Sequence, residues 1–85
     1  MKNTIEVYWI ITTMDGVPVL KNDGTIMQFQ DTKSCRDNTK HYTYTSKTRH
    51  HSRWLTKDQF FKAKKEFLTE GHISMATLWW KWDHN

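Results

Sequence analysis

Apolar and polar positions alternate through residues 5–13, IEVYWIITT. Ile5, Val7, Trp9 and Ile11 fall on one face, and Glu6, Tyr8, Ile10 and Thr12 on the other. A period of two in β-branched and aromatic residues predicts a strand. The second face is too apolar to stay fully wet, which predicts a central strand. Asp15-Gly16 breaks the pattern. An Asp-Gly pair between apolar segments predicts a hairpin with a type I′ turn, in which both central residues take positive φ. Residues 17–21, VPVLK, then return as a short strand. Pro18 has no N–H to give to a ladder, so this strand is an edge or is irregular. Asn22-Asp23-Gly24 makes a second turn, and 25–30, TIMQFQ, a third strand with Met27 and Phe29 on one face. Residues 1–31 therefore read as a β-meander.

The period changes after residue 55. Thr56 with Gln59 three residues later forms a capping box, and Leu55 with Phe60 forms the hydrophobic staple around it. Gly71 stands where a left-handed C-terminal cap belongs. A helix is predicted over about 57–70, with Phe60, Phe61, Ala63, Phe67 and Leu68 clustered on one side. Residues 72–82, HISMATLWWKW, alternate again and predict a last strand. Between these elements the pattern weakens. Residues 31–41 are polar, with turn formers and at most one helical turn. HYTYTS at 41–46 alternates enough to suggest a fourth strand, and KTRHHSR at 47–53 has no apolar residue and reads as an exposed loop. The expected fold is α+β: an antiparallel sheet of four to five strands, made of the N-terminal meander and the C-terminal strand, with one amphipathic helix packed on a face.

A chain of 85 residues predicts a single domain spanning 1–85. A domain this small buries only about 60–65% of its unfolded surface, so its core must be efficient. Five Trp, three Tyr and four Phe supply large rings where aliphatic residues are scarce. Cys35 is the single cysteine, which excludes an internal disulfide and fits a reducing compartment. The apolar run 7–11 is too short for a signal peptide or a membrane span. The expectation is a soluble cytoplasmic protein with no membrane partner.

Charge adds a functional direction. Residues 1–31 carry two Lys against four acidic residues, 32–66 carry ten Lys/Arg against three, and 67–85 one against two. The excess is confined to the middle third, which points to an anionic partner, nucleic acid (RNA or DNA) ahead of an acidic protein surface. Lys47, Arg49, His50, His51 and Arg53 lie in one polar run beside Trp54, and Lys57, Lys62, Lys64 and Lys65 lie on the helix that follows. Such cations gain affinity for phosphates by releasing counterions, and Trp54, Tyr42 and Tyr44 are rings on which bases could stack. The competing reading is a solvated helix face with Trp54 in the core.

Other chemistries are poorly encoded. Cys35, His41, His50 and His51 are zinc-ligand types, but their spacing, C-x5-H-x8-H-H, fits no usual ligand pairing. No cofactor is implied. His50 or His51 could act as acid or base beside Arg49, Arg53 and Tyr44, yet no catalytic set accompanies them, so a non-enzymatic protein is expected. Lys33 and Arg36 could lower the pKa of Cys35. Trp79, Trp80 and Trp82 place rings on both faces of the predicted last strand, and an exposed one would suit a protein interface. This supports an alternative: a phage or mobile-element protein that inhibits a host nucleic-acid enzyme, of the anti-restriction or anti-CRISPR type, through an aromatic and basic surface. Pro18 discourages pairing between copies along the second strand.

Overall fold

In the computed structural model, which describes residues 7–78, β1 (Val7–Thr13) is the central strand of a three-stranded antiparallel sheet ordered β2-β1-β3. β2 is Gln28–Phe29, and β3 is His50–Thr56. β1 and β3 pair along their whole length, from Val7 opposite Thr56 to Thr13 opposite His50. Three helices complete the domain: α1 (Thr32–Ser46), α2 (Lys57–Glu70) and the single turn α3 (Met75–Leu78). The α+β class holds. The four or five expected strands are three among the described residues, and one expected helix is accompanied by a second of similar length.

Residues directly opposite in an antiparallel ladder share a face, so the register sorts every side chain. Tyr8, Ile10 and Leu55 lie on one face. With Ile26, Phe60, Ala63, Ile73 and Leu78 they form the hydrophobic core. α2 covers this face, and Phe60 stacks on Tyr8 with ring centroids 4.7 Å apart. The other face carries Phe29, Trp9 and Trp54 in a row across the three strands, then Ile11 and Ser52. α1 covers this second face: Thr39 shares a 2.8 Å hydrogen bond with Ser52, and the Cys35 thiol approaches the Ile10 carbonyl at 3.6 Å. The helices thus sandwich the sheet.

α2 follows its cap and staple signals, but of the residues expected on its apolar side only Phe60, Ala63 and Phe67 pack on the core, while Phe61 and Leu68 are exposed. Thr56 Oγ1 accepts from the Gln59 N–H, Leu55 and Phe60 meet in the core, and Gly71 (φ 83°) closes the helix by donating its N–H to Phe67 O. Only half of the capping box forms, since Gln59 Oε1 is buried without a hydrogen-bond partner.

α1 corrects the expectation for 31–46, which read as a polar stretch with turn formers and at most one helical turn, followed by a strand at 41–46. Asp31 is its N-cap, accepting from the Ser34 N–H at 2.8 Å. The buried side consists of Cys35, Thr39 and Tyr42, at i, i+4 and i+7. The hydroxyls of Thr39, Thr45 and Ser46 donate back to carbonyls four residues earlier. These residues have poor helix propensity, and the bonds satisfy their hydroxyls without supplying the drive to form the helix, which comes from the N-cap and from packing on the sheet. The expected exposed loop 47–53 is likewise corrected, because its second half is the start of β3.

The predicted strand at 72–82 is replaced, within the described residues, by α3; residues 79–82, with Trp79, Trp80 and Trp82, lie outside them. Ser74 caps α3, its Oγ accepting from the Thr77 N–H. Glu66 on α2 holds this segment, accepting from Ser74 N–H at 2.9 Å, Ser74 Oγ at 3.2 Å and Thr77 Oγ1 at 2.9 Å. The Asp15-Gly16 turn also differs from type I′. Only Gly16 (φ 87°) has a positive φ, and Thr13 bonds Val17 around a three-residue loop. Lys21 and Thr25 close a second loop of the same kind around Gly24 (φ 87°). Residues 17–20 between them join their neighbours only through isolated bridges at Pro18 and Leu20. Among the described residues, no helix is long and apolar enough to cross a membrane.

The two loops predict unequal responses to one substitution. At Gly24 a Cβ meets nothing within 4 Å, so Gly24→Ala suffers only backbone strain, about 1 kcal/mol or roughly 4–8 °C in Tm. At Gly16, whose carbonyl accepts from the Ile73 N–H at 2.8 Å, a Cβ would collide with Ile73 O. Gly16→Ala therefore costs at least about 3 kcal/mol. Paired thermal melts check this, and equal losses would contradict the close approach.

The Glu66 contacts predict a pH dependence. Burial raises its pKa, but the bonds from Ser74 and Thr77, with Lys62 nearby, outweigh it and hold the carboxyl below its usual 4.5. A depressed folded-state value means stability that is present above the unfolded pKa and lost as pH falls through the folded one. Glu66→Gln should thus destabilise the protein at about pH 7 and progressively less toward about pH 3. Denaturant titrations at both ends of this range measure the difference.

Candidate nucleic-acid interface

Helical periodicity and the turn into β3 bring one set of cations together. Lys40 and Tyr44 on α1 and Lys47 at its C-cap recur at i, i+4 and i+7, within an arc of about 60° at 3.6 residues per turn. The chain turns at Lys47, whose φ of 59° makes it the left-handed C-cap of α1. It then delivers Arg49 and His50 beside the end of the helix. The His50 N–H donates to Thr43 Oγ1 at 2.9 Å and fixes the strand against α1. Between them lies an open groove of about 670 Å³ lined by Thr39, Lys40, Thr43, Tyr44, Lys47, Arg49 and His50. Three of these are cations and none is acidic.

The two tyrosines differ in role. Tyr42 is half-buried beneath the groove, donating its hydroxyl to Met27 Sδ at 3.8 Å, with its ring 6.1 Å from that of His50. Tyr44 projects from α1 and is 83% exposed. His50 Nδ1 lies 2.7 Å from Thr48 O, which holds the imidazole at the groove wall.

The remaining sequence candidates lie elsewhere. His51 and Arg53 face the α2 side of the sheet, opposite to His50, because adjacent strand residues point to opposite faces. Arg53 is buried and donates Nε to Thr12 Oγ1 at 3.0 Å. Burial, then Arg53, Arg49 and His50, pull the pKa of His51 below its usual 6.5. Trp54 is half-buried in the aromatic row with Trp9. Lys57, Lys62 and Lys65 are exposed on α2, across the sheet from the groove. Lys40 was not among the sequence candidates. It becomes visible only once 32–46 is known to be a helix, since it then stands one turn from Tyr44.

Cys35 is an ordinary thiol, fully buried rather than exposed or half-buried, and burial pushes its pKa up in spite of Lys33 and Arg36 nearby in the sequence. Lys33 is instead tied to Asp37 at 2.8 Å. Among the described residues, no three His, Cys, Asp or Glu side chains are grouped to hold a metal ion.

No protein-family model matches this chain, and no curated protein or solved structure is significantly similar to it. Its function must be argued from the site.

Lys47 is the only non-glycine with positive φ among the described residues. A lysine there carries backbone strain that glycine would not. Lys47→Gly should therefore leave the fold intact and stabilise it by up to about 1 kcal/mol, seen as a Tm raised by a few degrees. A lowered Tm would mean that the Lys47 side chain supports the helix end.

Proposed function

We propose that this protein is a small non-enzymatic nucleic-acid-binding module whose contact surface is the groove between the C-terminal half of α1 and the start of β3. The observation that carries this reading is the convergence of Lys40, Lys47 and Arg49 on one acid-free groove beside an exposed tyrosine. Phosphates are held by several cations on one surface, chiefly through counterion release. The strain retained at Lys47 supports the same reading, since unusual backbone geometry tends to persist where a side chain is needed. The lysines of α2 face away and contribute mainly to the general positive field. The surface is therefore narrower than the span 47–65 and extends back to Lys40.

A second reading draws on α2. Phe61 and Leu68 are exposed one face apart from the core, with Lys64 Nζ 5.4 Å above the Phe61 ring. This apolar and basic strip would suit a protein partner, as in an inhibitor of a host nucleic-acid enzyme of phage or mobile-element origin.

Fluorescence anisotropy with labelled oligonucleotides separates the two. Groove binding predicts a log–log salt slope near −2, on the order of a tenfold loss between about 50 and 200 mM salt. Joint Lys40→Ala and Arg49→Ala substitution should weaken binding about tenfold or more at the lower salt. Joint Lys57→Ala, Lys62→Ala and Lys65→Ala substitution should change it less than about threefold. The opposite ranking would move the contact to α2, and no binding at about 50 mM salt would leave the protein-partner reading.

A further inference from the structure

The groove also carries information about the form of nucleic acid it accepts. We infer that it takes a single strand, with one base stacked on the Tyr44 ring and the flanking phosphates held by Lys40 on one side and by Lys47 and Arg49 on the other. This rests on the nucleic-acid reading above and specifies its substrate. Tyr44 is 83% exposed, and its side chain makes no hydrogen bond or ring contact with the described residues. Its neighbour Tyr42 is already used in packing, so Tyr44 is the ring left over. Along the helix axis Lys40 precedes it by about 6 Å and Lys47 follows it by about 4.5 Å, at 1.5 Å per residue. A base lying on the ring therefore has a cation within reach of the phosphate at either end. Base stacking on an exposed ring within a cationic groove is how single strands are bound without sequence readout.

A duplex fits this surface badly. Its base faces are already stacked, so the Tyr44 ring would find only sugar and phosphate. The recognition helix of a helix-turn-helix protein contacts base edges with its N-terminal residues. The N-terminus of α1 is closed by the Asp31 carboxylate, which accepts from both the backbone and the hydroxyl of Ser34, and Asp37, paired with Lys33, stands nearly two turns further on. A duplex laid along the Lys40–Tyr44 face of α1 would meet the Asp37 carboxylate, which shares that face at i with Lys40 at i+3 and Tyr44 at i+7. The acid-free stretch extends only from Lys40 to His50, the scale of a few nucleotides.

The test uses fluorescein-labelled single-stranded DNA, single-stranded RNA and duplex DNA of about ten nucleotides, at about 50 mM salt. Each is titrated with the full-length protein and its Tyr44→Phe and Tyr44→Ala variants. Both single strands should bind at least about tenfold more tightly than the duplex. Tyr44→Phe should retain affinity, and Tyr44→Ala should lose about five- to hundredfold with its salt slope unchanged, because the cations remain. An advantage of RNA over DNA would assign part of the affinity to the 2′-hydroxyl, within the same inference. Single strands bound without loss in Tyr44→Ala, or a duplex bound as tightly, would overturn the inference while the nucleic-acid reading stands. Absence of binding by every probe would overturn that reading itself. Because Tyr44 is exposed, both variants should melt as the parent does, which circular dichroism verifies.

Discussion

The register between β1 and β3 is the constraint on which the rest of the structure depends. Seven consecutive pairs, from Val7–Thr56 to Thr13–His50, lock two strands of opposite direction. The lock assigns alternate residues to opposite layers. Tyr8, Ile10 and Leu55 must meet α2, and Ile11, Ser52 and His50 must meet α1. A slip of one residue would turn Leu55 toward the hydroxyl-lined α1 and bring His50 under α2. The same alternation divides the basic run at 47–53. Its first members, Lys47, Arg49 and His50, remain at the rim of α1. His51 and Arg53 are carried through the sheet, where burial and Thr12 define their roles.

Two attachments hold the ends of this arrangement. Glu66 binds the segment that contains Ser74 and Thr77, and the carbonyl of Gly16 receives the Ile73 N–H. Ile73 and Leu78 thereby complete a core that β1, β3 and α2 leave open on one side. The α1 layer is built differently. It is joined to the sheet by a thiol, hydroxyls and half-buried rings rather than by an aliphatic cluster. That construction leaves its outer face, with Lys40, Tyr44 and Lys47, to solvent.

Elements whose burial is hydrophobic were legible in the sequence. β1 alternates in β-branched and aromatic residues, and α2 carries its cap, staple and terminal glycine in order. The rest was obscured for identifiable reasons. α1 buries Cys35, Thr39 and Tyr42, too few apolar residues to show a helical period, and Tyr42 and Tyr44 imitate strand alternation. Only the Asp31 N-cap marked its beginning. β3 begins with His50, His51 and Ser52, which are polar because one face meets hydroxyls and the other lies near the sheet's end. Ile73, just before α3, and Thr77 within it are buried four residues apart, a spacing easily mistaken for strand alternation in so short a segment. The candidate site was legible in composition and not in grouping. Lys47, Arg49, His50 and Tyr44 converge, whereas Lys57, Lys62 and Lys65 stand on another layer, and Lys40 required knowledge of the helix.

The most direct measurement is an amide chemical-shift map of isotope-labelled protein titrated with a short single-stranded oligonucleotide at low salt. Groove binding predicts perturbations concentrated at Lys40, Thr43, Tyr44, Lys47, Arg49 and His50, with the amides of Lys57, Lys62 and Lys65 nearly unmoved. Perturbations centred on α2 or on the segment holding Ser74 and Thr77, with the groove unchanged, would contradict it.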